Sequence, residues 1–305
     1  MEKPKKSRAG IAILVIACIV AVFFLMVVGL SLLIPSDDSD SGLSSIFQLK
    51  SKIGIIQIED GIMSADKVLK RMRKLSKKKS VKAIVIRINS PGGAVAPAQE
   101  IYREIGKTKK KKPVVVSMET LGTSAAYYIS SNASHIVCSK GTITGSIGVI
   151  MMLAEIHKIT EKLGVDVTVI KAGKYKDIGS SVRPMTPEER TLLENFAKEL
   201  HEQFIKDVAT ARKGKIDIEK LRELADGSFF TGEKAKEVGL VDSIGNFYDA
   251  VEIAKKLAKV TGEVELDYPG KSWESYFNLF AGKLSLQLAQ ALQHMSVMQP
   301  VPAVH

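Results

Sequence analysis

The chain has 305 residues, a formal net charge of +11 and 45% hydrophobic residues, which is ordinary for a globular protein that carries one membrane segment. It contains neither a glycine-rich nucleotide loop nor a His/Cys cluster at metal spacing, so we infer neither a nucleotide nor a metal site. The two cysteines, Cys18 and Cys138, lie in an apolar run and a strand-like run, and we expect them to stay unpaired.

A long uncharged run from Ala9 to Ile34 follows a basic flank at residues 1–8. The run is long enough to span a bilayer and exceeds the ~7 to 15 apolar residues of a cleaved signal. We therefore expect an uncleaved signal anchor over residues 9–34 of a single-pass protein in the cytoplasmic membrane. The positive flank predicts that the N-terminus is cytoplasmic and that the rest of the chain lies outside.

Three further regions follow the anchor. Residues 35–51 are polar and serine-rich, which predicts a flexible linker, and residues 52–267 form one α/β domain. Residues 268–305 make up a C-terminal helical segment and tail. Its apolar residues recur at helical spacing and could cover a neighbouring surface or the membrane, or belong to an isolated helix.

The domain alternates strand-like and helix-like segments. The strand-like segments are residues 53–59, 81–89, 113–118, 135–139 and 165–171. The helix-like segments are residues 65–75, 97–106, 124–130 and 153–163. This alternation predicts an α/β fold with mainly parallel strands covered by helices.

The longest predicted helix begins at a capping box, Thr186-Pro187-Glu188-Glu189. Its apolar stripe consists of Leu192, Leu193, Phe196, Leu200, Phe204 and Val208. We expect this stripe to pack on the sheet or on a neighbouring subunit.

The positive charge is concentrated in two clusters, Lys70 to Lys79 and Lys107 to Lys112. Both follow predicted helices and lack interleaved aromatic residues, which is typical of solvated helix ends. Contact with anionic membrane lipid is the functional alternative. We expect no nucleic-acid partner.

Three short segments carry candidate chemistry: a Ser90-Pro91-Gly92-Gly93 turn, Ser124, and Lys174-Tyr175-Lys176-Asp177. Together they can supply an oxyanion hole, a serine nucleophile and an amine base. None of the five histidines has an acidic partner at motif spacing, which favours lysine as the base. Taken singly, each segment is more often a tight turn, a small residue at a helix start or a solvated lysine.

A lysine can accept the proton of a serine only if its amine is neutral. Apolar surroundings must then lower a lysine pKa from about 10.4 to about 7. Residues 165–170 are predicted to form a strand that places Lys176 at the rim of an apolar core. From the residues alone, Lys174 and Lys176 are nearly equal candidates.

The order and spacing of several motifs resemble the short form of bacterial signal peptide peptidase A, which has the Clp protease/crotonase fold. The matching segments are residues 89–93, 123–128, 141–149, 174–179, 231–235 and 239–242. The resemblance implies a membrane serine peptidase without a cofactor, which hydrolyses cleaved signal peptides and other apolar peptides. It also implies a homo-oligomeric ring whose protomers share each active site.

The resemblance assigns a role to each matching position. Ser124 is the expected nucleophile, Lys176 the general base and Ser146 the hydroxyl that orients the lysine. The N–H groups of Gly93 and Ala125 are the expected oxyanion donors. The family usually has two glycines after the serine, whereas this chain has Ala125 and Ala126, which lose the freedom of glycine at positive φ.

Two other classes remain open at this point. A crotonase-like acyl-thioester enzyme would use the same oxyanion geometry but should bind coenzyme A. A catalytically silent membrane scaffold would need no nucleophile.

Overall fold

The structure is a computed structural model that describes residues 50–270 and, before them, Val22 alone. The expected anchor, the basic flank, most of the linker and nearly all of the C-terminal segment therefore lie outside the described residues. Within the described part of the chain, no helix is both long enough and apolar enough to cross a bilayer.

One sheet of eight strands organises the described body. Its order is β6-β5-β3-β2-β1-β8, with β4 beside β3 and β7 beside β4. The strands are β1 Lys52–Glu59, β2 Val81–Ser90, β3 Val114–Thr123, β4 His135–Cys138, β5 Ile143–Gly145, β6 Phe229–Thr231, β7 Ser243–Ile244 and β8 Glu265–Asp267. Every pairing is parallel except that between β5 and β6. The expected α/β fold with mainly parallel strands is confirmed.

Strand β3 changes its neighbour halfway along its length. Residues 115–118 pair with β4, and residues 121–123 pair with β5. The second half of β3 extends beyond the predicted end at Met118, and it leads directly into Ser124. The carboxyl ends of β2 and β3 thus meet β5 at one edge of the sheet, where binding sites of parallel sheets are commonly found.

Helices cover both faces of the sheet. They are α1 Asp66–Lys77, α2 Val95–Thr108, α3 Ala125–Ser131, α4 His157–Lys162, α5 Pro187–Ala211, α6 Ile218–Leu224, α7 Gly232–Glu237 and α8 Phe247–Leu257. The larger apolar core includes side chains from α1, α2, α3, α5, α6 and α7, and the smaller one includes Ala250, Val251 and Ala254 of α8. Because both faces are covered, consecutive residues of β1 to β3 are buried over most of each strand.

Helix α5 begins as predicted. The Thr186 hydroxyl accepts a hydrogen bond from the Glu189 N–H, and the Glu189 carboxylate accepts one from the Thr186 N–H. The apolar stripe is divided: Phe204 and Val208 are buried, whereas Leu192 and Phe196 are 44% and 51% exposed. Only the second half of α5 therefore packs on the core of this body.

The strand predicted at residues 165–171 is wrong. These residues have no sheet partner in the described chain, and Val165, Val167 and Ile170 are exposed. Alternating apolar residues form a strand only when an edge and a face are available to pair and to bury them. The helix predicted at residues 153–163 is likewise reduced to α4, His157–Lys162.

A buried ion pair joins the end of α5 to the sheet. Arg212 and Asp242 are 2% and 4% exposed, and their side chains make two hydrogen bonds of 3.0 Å. The Asp242 carboxylate also accepts the N–H of Ile136 at 2.8 Å. Burial alone would raise the pKa of Asp242, but Arg212 lowers it to about 2.

We predict that Asp242→Asn destabilises the protein by about 3 to 5 kcal/mol, since it leaves Arg212 buried without its counter-ion. Thermal unfolding at neutral pH measures this change. Because the native pKa is lowered, the carboxylate contributes stability above pH ~4, and that contribution is lost as the pH falls towards 2. Lys220→Gln removes only an exposed pair and is the control. An equal melting temperature for both variants would contradict the structural role of the pair.

Candidate active site

Ser124 lies between β3 and α3 in a backbone conformation that L-residues rarely adopt, with φ 52° and ψ −122°. Two backbone bonds hold it: its N–H donates to the Gly145 carbonyl, and its carbonyl accepts the N–H of Tyr128, both at 2.8 Å. Strain of this kind is concentrated at functional sites. The side chain is thereby presented at the edge of the sheet.

The Ser-Pro-Gly-Gly turn lies directly against this serine. A Cβ added at Gly92, which has φ 109°, would be 2.8 Å from the Ser124 Cβ and 2.9 Å from the Ala125 nitrogen. The Thr123 hydroxyl donates to the Pro91 carbonyl at 3.0 Å and joins the two segments. Only glycine fits at position 92.

The N–H of Gly93 is not used in the bridge that joins this turn to Ile62. Ile62 bonds to the residues on either side of Gly93, donating to the Gly92 carbonyl at 2.8 Å and accepting from the Ala94 N–H at 2.9 Å. In such a parallel bridge the groups of the central residue point away from Ile62. Gly93 then lines the cleft that also contains Ser124.

The first N–H of α3 belongs to Ala125, and an N–H at this position has no acceptor within the helix. Neither Ala125 nor Ala126 has a positive φ, since both are ordinary helical residues. The loss of glycine here therefore imposes no backbone strain. Gly93 and Ala125 together offer two N–H donors beside one serine.

The cleft around Ser124 has a volume of about 300 Å³ and a wall that is more apolar than polar. Its apolar lining includes Val95, Ala98, Tyr128, Leu200 and Phe204. The Tyr128 ring meets Phe204 edge-on at 5.0 Å, and its hydroxyl donates to the Asp207 carboxylate. Burial and that carboxylate raise the pKa of Tyr128, which keeps the phenol neutral. The cleft can accept an apolar side chain.

Ser146 lines the same cleft. It has φ 49°, and its N–H donates to the Ser228 carbonyl at 2.7 Å. The structure thus brings together Ser124, Ser146, Gly93 and Ala125. Lys176 is not among the residues that line this cleft.

Lys176 lies in an exposed turned segment, residues 171–179, rather than at the rim of an apolar core. Lys176 is not at the expected place because residues 165–171, which were predicted to lead into it as a strand, do not form one. Lys174 is also exposed, and its amine bonds to Glu188 at 2.7 Å. That bond raises the pKa of Lys174, so its amine stays protonated. Among the described residues, Lys176 makes no ion pair, unlike Lys174.

A charged cluster folds the segment that carries Lys176. Arg183 donates to Asp177 at 2.8 Å and to both carboxylate oxygens of Glu189 at 2.8 and 2.5 Å, while Lys171 pairs with Asp177 from the other side. Hydrogen bonds from Arg183 lower the pKa of Asp177 and bring that of Glu189 to about 2. We call Lys171, Asp177, Arg183 and Glu189 the Arg183 cluster.

The Arg183 cluster is not predicted from the sequence, where Glu189 is assigned only to the capping box at the start of α5. Its one sequence signal is the even spacing of Asp177, Arg183 and Glu189. The cluster ties the Lys176 segment to the start of α5. The segment therefore has a defined conformation, although residues 171–176 are exposed.

Comparisons with known proteins agree with this architecture. The model of peptidase family S49 matches residues 106–261, and the Clp protease model matches residues 42–137. A putative protease of Synechocystis is 40% identical over 221 residues, which cover 72% of this chain and 79% of the relative. The chain belongs to peptidase family S49. Membership identifies the α/β body as a serine protease domain.

Other S49-like proteins extend the comparison. A putative protease of Methanocaldococcus jannaschii is 43% identical over 205 residues, which cover 67% of this chain and 65% of that relative. A putative signal peptide peptidase SppA of Enterococcus faecium is 35% identical, over 66% of this chain and 58% of the relative. A solved mutant of the 1510-N membrane-bound stomatin-specific protease has a TM-score of 0.51 at 17% identity, covering 73% of this chain and 99% of that one. This last likeness concerns the fold.

We predict that Arg183→Gln loosens residues 171–183, because Asp177 and the buried Glu189 then lose their shared counter-ion. Hydrogen exchange followed by mass spectrometry should show faster exchange there and no change in β1 to β3. Arg222→Gln, which breaks an exposed pair with Glu202, is the matched control. Equal exchange of residues 171–183 in both variants would show that Arg183 does not order the segment.

Proposed function

We propose that this protein is a membrane-anchored serine endopeptidase with a Ser124–Lys176 dyad. The observation that supports this most strongly is the strained Ser124 with two N–H donors in an apolar cleft of an S49 fold. The proposed substrates are cleaved signal peptides and other apolar peptides at the membrane. The apolar wall of the cleft suits such side chains.

In the proposed reaction, Ser124 attacks the carbonyl carbon of the scissile bond while Lys176 takes its proton. The N–H groups of Gly93 and Ala125 stabilise the negative charge that develops on the carbonyl oxygen. Lys176 then returns the proton to the leaving amine, and a water molecule hydrolyses the acyl-enzyme. Ser146, at the edge of the cleft, orients the lysine.

The separation of Lys176 from the cleft supports a site shared between two copies of this chain. The segment before it exposes apolar side chains, with Ile150, Met152 and Ile170 at 81%, 88% and 97% exposure. Leu192 and Phe196 of α5 are exposed as well. Contiguous exposed apolar residues are typical of protein interfaces. We infer that a neighbouring copy covers them and that Lys176 of one protomer serves Ser124 of the next.

A head-to-tail contact of this kind forms a ring when its rotation closes, and we infer such a ring for this chain. Burial in the interface would also give Lys176 the dry surroundings that a neutral amine requires. The isolated chain lacks those surroundings, which accounts for the exposed position of Lys176 in the structure. Assembly would then be a condition for activity.

We predict that Ser124→Ala and Lys176→Ala each lower kcat/KM for an apolar peptide by at least about 10²-fold, since each removes a group that acts in the transition state. Lys174→Ala should lower it much less, because Lys174 is paired with Glu188. Circular dichroism checks that all three variants remain folded. An equal collapse of activity in all three folded variants would contradict the assignment of Lys176.

We predict further that mixing the two inactive variants restores activity. A Ser124→Ala protomer still carries Lys176, and a Lys176→Ala protomer still carries Ser124. With equal and random mixing, about a quarter of the boundaries in a head-to-tail ring receive both intact groups. The measurement is peptide hydrolysis after co-assembly, with mixed rings verified by native mass spectrometry. Mixed rings as inactive as either parent would place the dyad within one chain.

A further inference from the structure

The net positive charge of this protein is concentrated in two segments. Residues 66–82 contain nine Lys or Arg and one Asp, and residues 107–112 contain five Lys, so their net charges of +8 and +5 sum to +13. The whole chain carries +11, which leaves −2 for all remaining residues. These two segments together therefore carry more net positive charge than the whole chain.

The fold joins the two segments into one surface. The Lys112 amine donates to the carbonyls of Leu75 and Lys78 and so fastens the loop after α2 to the end of α1. Burial lowers the pKa of Lys112, and the charge of Lys82 lowers it further, which places Lys82 at the same surface. Segments that are 25 or more residues apart in the chain thus present their charges together.

Six exposed lysines of this surface have no carboxylate partner among the residues that the structure describes. Two nearby carboxylates pair with other basic residues of the same segment: Glu104 pairs with Arg73, and Asp267 pairs with Arg71 and Lys78. We call the six lysines the basic edge: Lys77, Lys79, Lys82, Lys107, Lys110 and Lys111. Unrelieved repulsion among them favours contact with an anionic surface.

The basic edge lies where the chain enters the body. The Lys52 N–H donates to the Ser80 carbonyl at 2.9 Å, so the start of β1 adjoins the turn that carries Lys77 and Lys79. The uncharged run from Ala9 to Ile34 precedes this entry point in the sequence. The amino ends of β1, β2 and β3 are all at this edge, because the three strands are parallel.

We propose that the basic edge binds the anionic headgroups of a lipid bilayer. Lysines are mobile point charges that suit a fluid layer of phosphate groups. Nucleic acid fits less well, because the two segments contain no aromatic residue on which a base could stack, and both of their arginines are already paired.

This position holds the cleft away from the membrane surface. Ser124 follows the carboxyl end of β3, a strand of 10 residues whose amino end lies at the basic edge. At ~3.3 Å per residue the two ends of β3 are about 30 Å apart. Lipid binding and hydrolysis are therefore separable by mutation.

The test uses the full chain in nanodiscs of phosphatidylcholine, with or without phosphatidylglycerol as a third of the lipid. Hydrogen exchange of residues 76–82 and 107–113 is measured in both, at low and at high salt. We expect severalfold slower exchange in the anionic discs, and this protection should vanish at high salt, which screens surface charges. Equal exchange in neutral and anionic discs would overturn the proposal.

A variant with Lys77, Lys79, Lys110 and Lys111 changed to Gln should lose the lipid-dependent protection. A control variant with Gln at Lys140, Lys234, Lys236 and Lys256, which removes the same charge elsewhere, should keep it. Both variants should hydrolyse a short soluble peptide at the wild-type rate, which shows that the fold and cleft are intact. Retained protection in the first variant would overturn the assignment to these lysines. Stronger protection of the same amides by a DNA duplex would overturn it in favour of nucleic acid.

Discussion

Ser124 occupies a backbone conformation that costs of order 1–3 kcal/mol, and its neighbours are arranged to maintain it. The Gly145 carbonyl fixes its N–H, and α3 begins at once from its carbonyl. Gly92 must lack a side chain because a Cβ there would be 2.8 Å from the Ser124 Cβ. Ala125 itself has no positive φ, so alanine is accepted at a position where the family usually has glycine.

The two residues of the proposed dyad lie in different surroundings. Ser124 and its N–H donors rest on the buried sheet, whereas Lys176 stands on an exposed turn that the Arg183 cluster folds in advance. In the proposed shared site, a pre-folded turn would lose less entropy on entering a neighbour's cleft. The pairing of Lys174 with Glu188 also prevents a second amine from competing there.

Much of this arrangement could be predicted from local patterns in the sequence. Apolar runs gave β1 and β2 nearly to their ends, and the capping box gave the start of α5. Strand β5 has only three residues and no local signal, and the meeting of Ser124 with Ser146 depends on the change of neighbour along β3. The failed strand at residues 165–171 shows the limit of periodicity, since alternation does not reveal whether a pairing edge exists.

The proposed lipid contact, at the end of the body opposite the cleft, would constrain which peptides the proposed peptidase can cut. With the basic edge on the lipid headgroups, the cleft stands about 30 Å from them, a distance that requires roughly nine residues of extended chain at ~3.4 Å each. A helix that remains within the bilayer cannot supply such a length without unfolding, because its backbone groups are satisfied only inside the helix. A peptide released from its parent protein can reach the cleft by leaving the bilayer at one end. The geometry therefore favours free apolar peptides over intact membrane helices as substrates of the proposed peptidase.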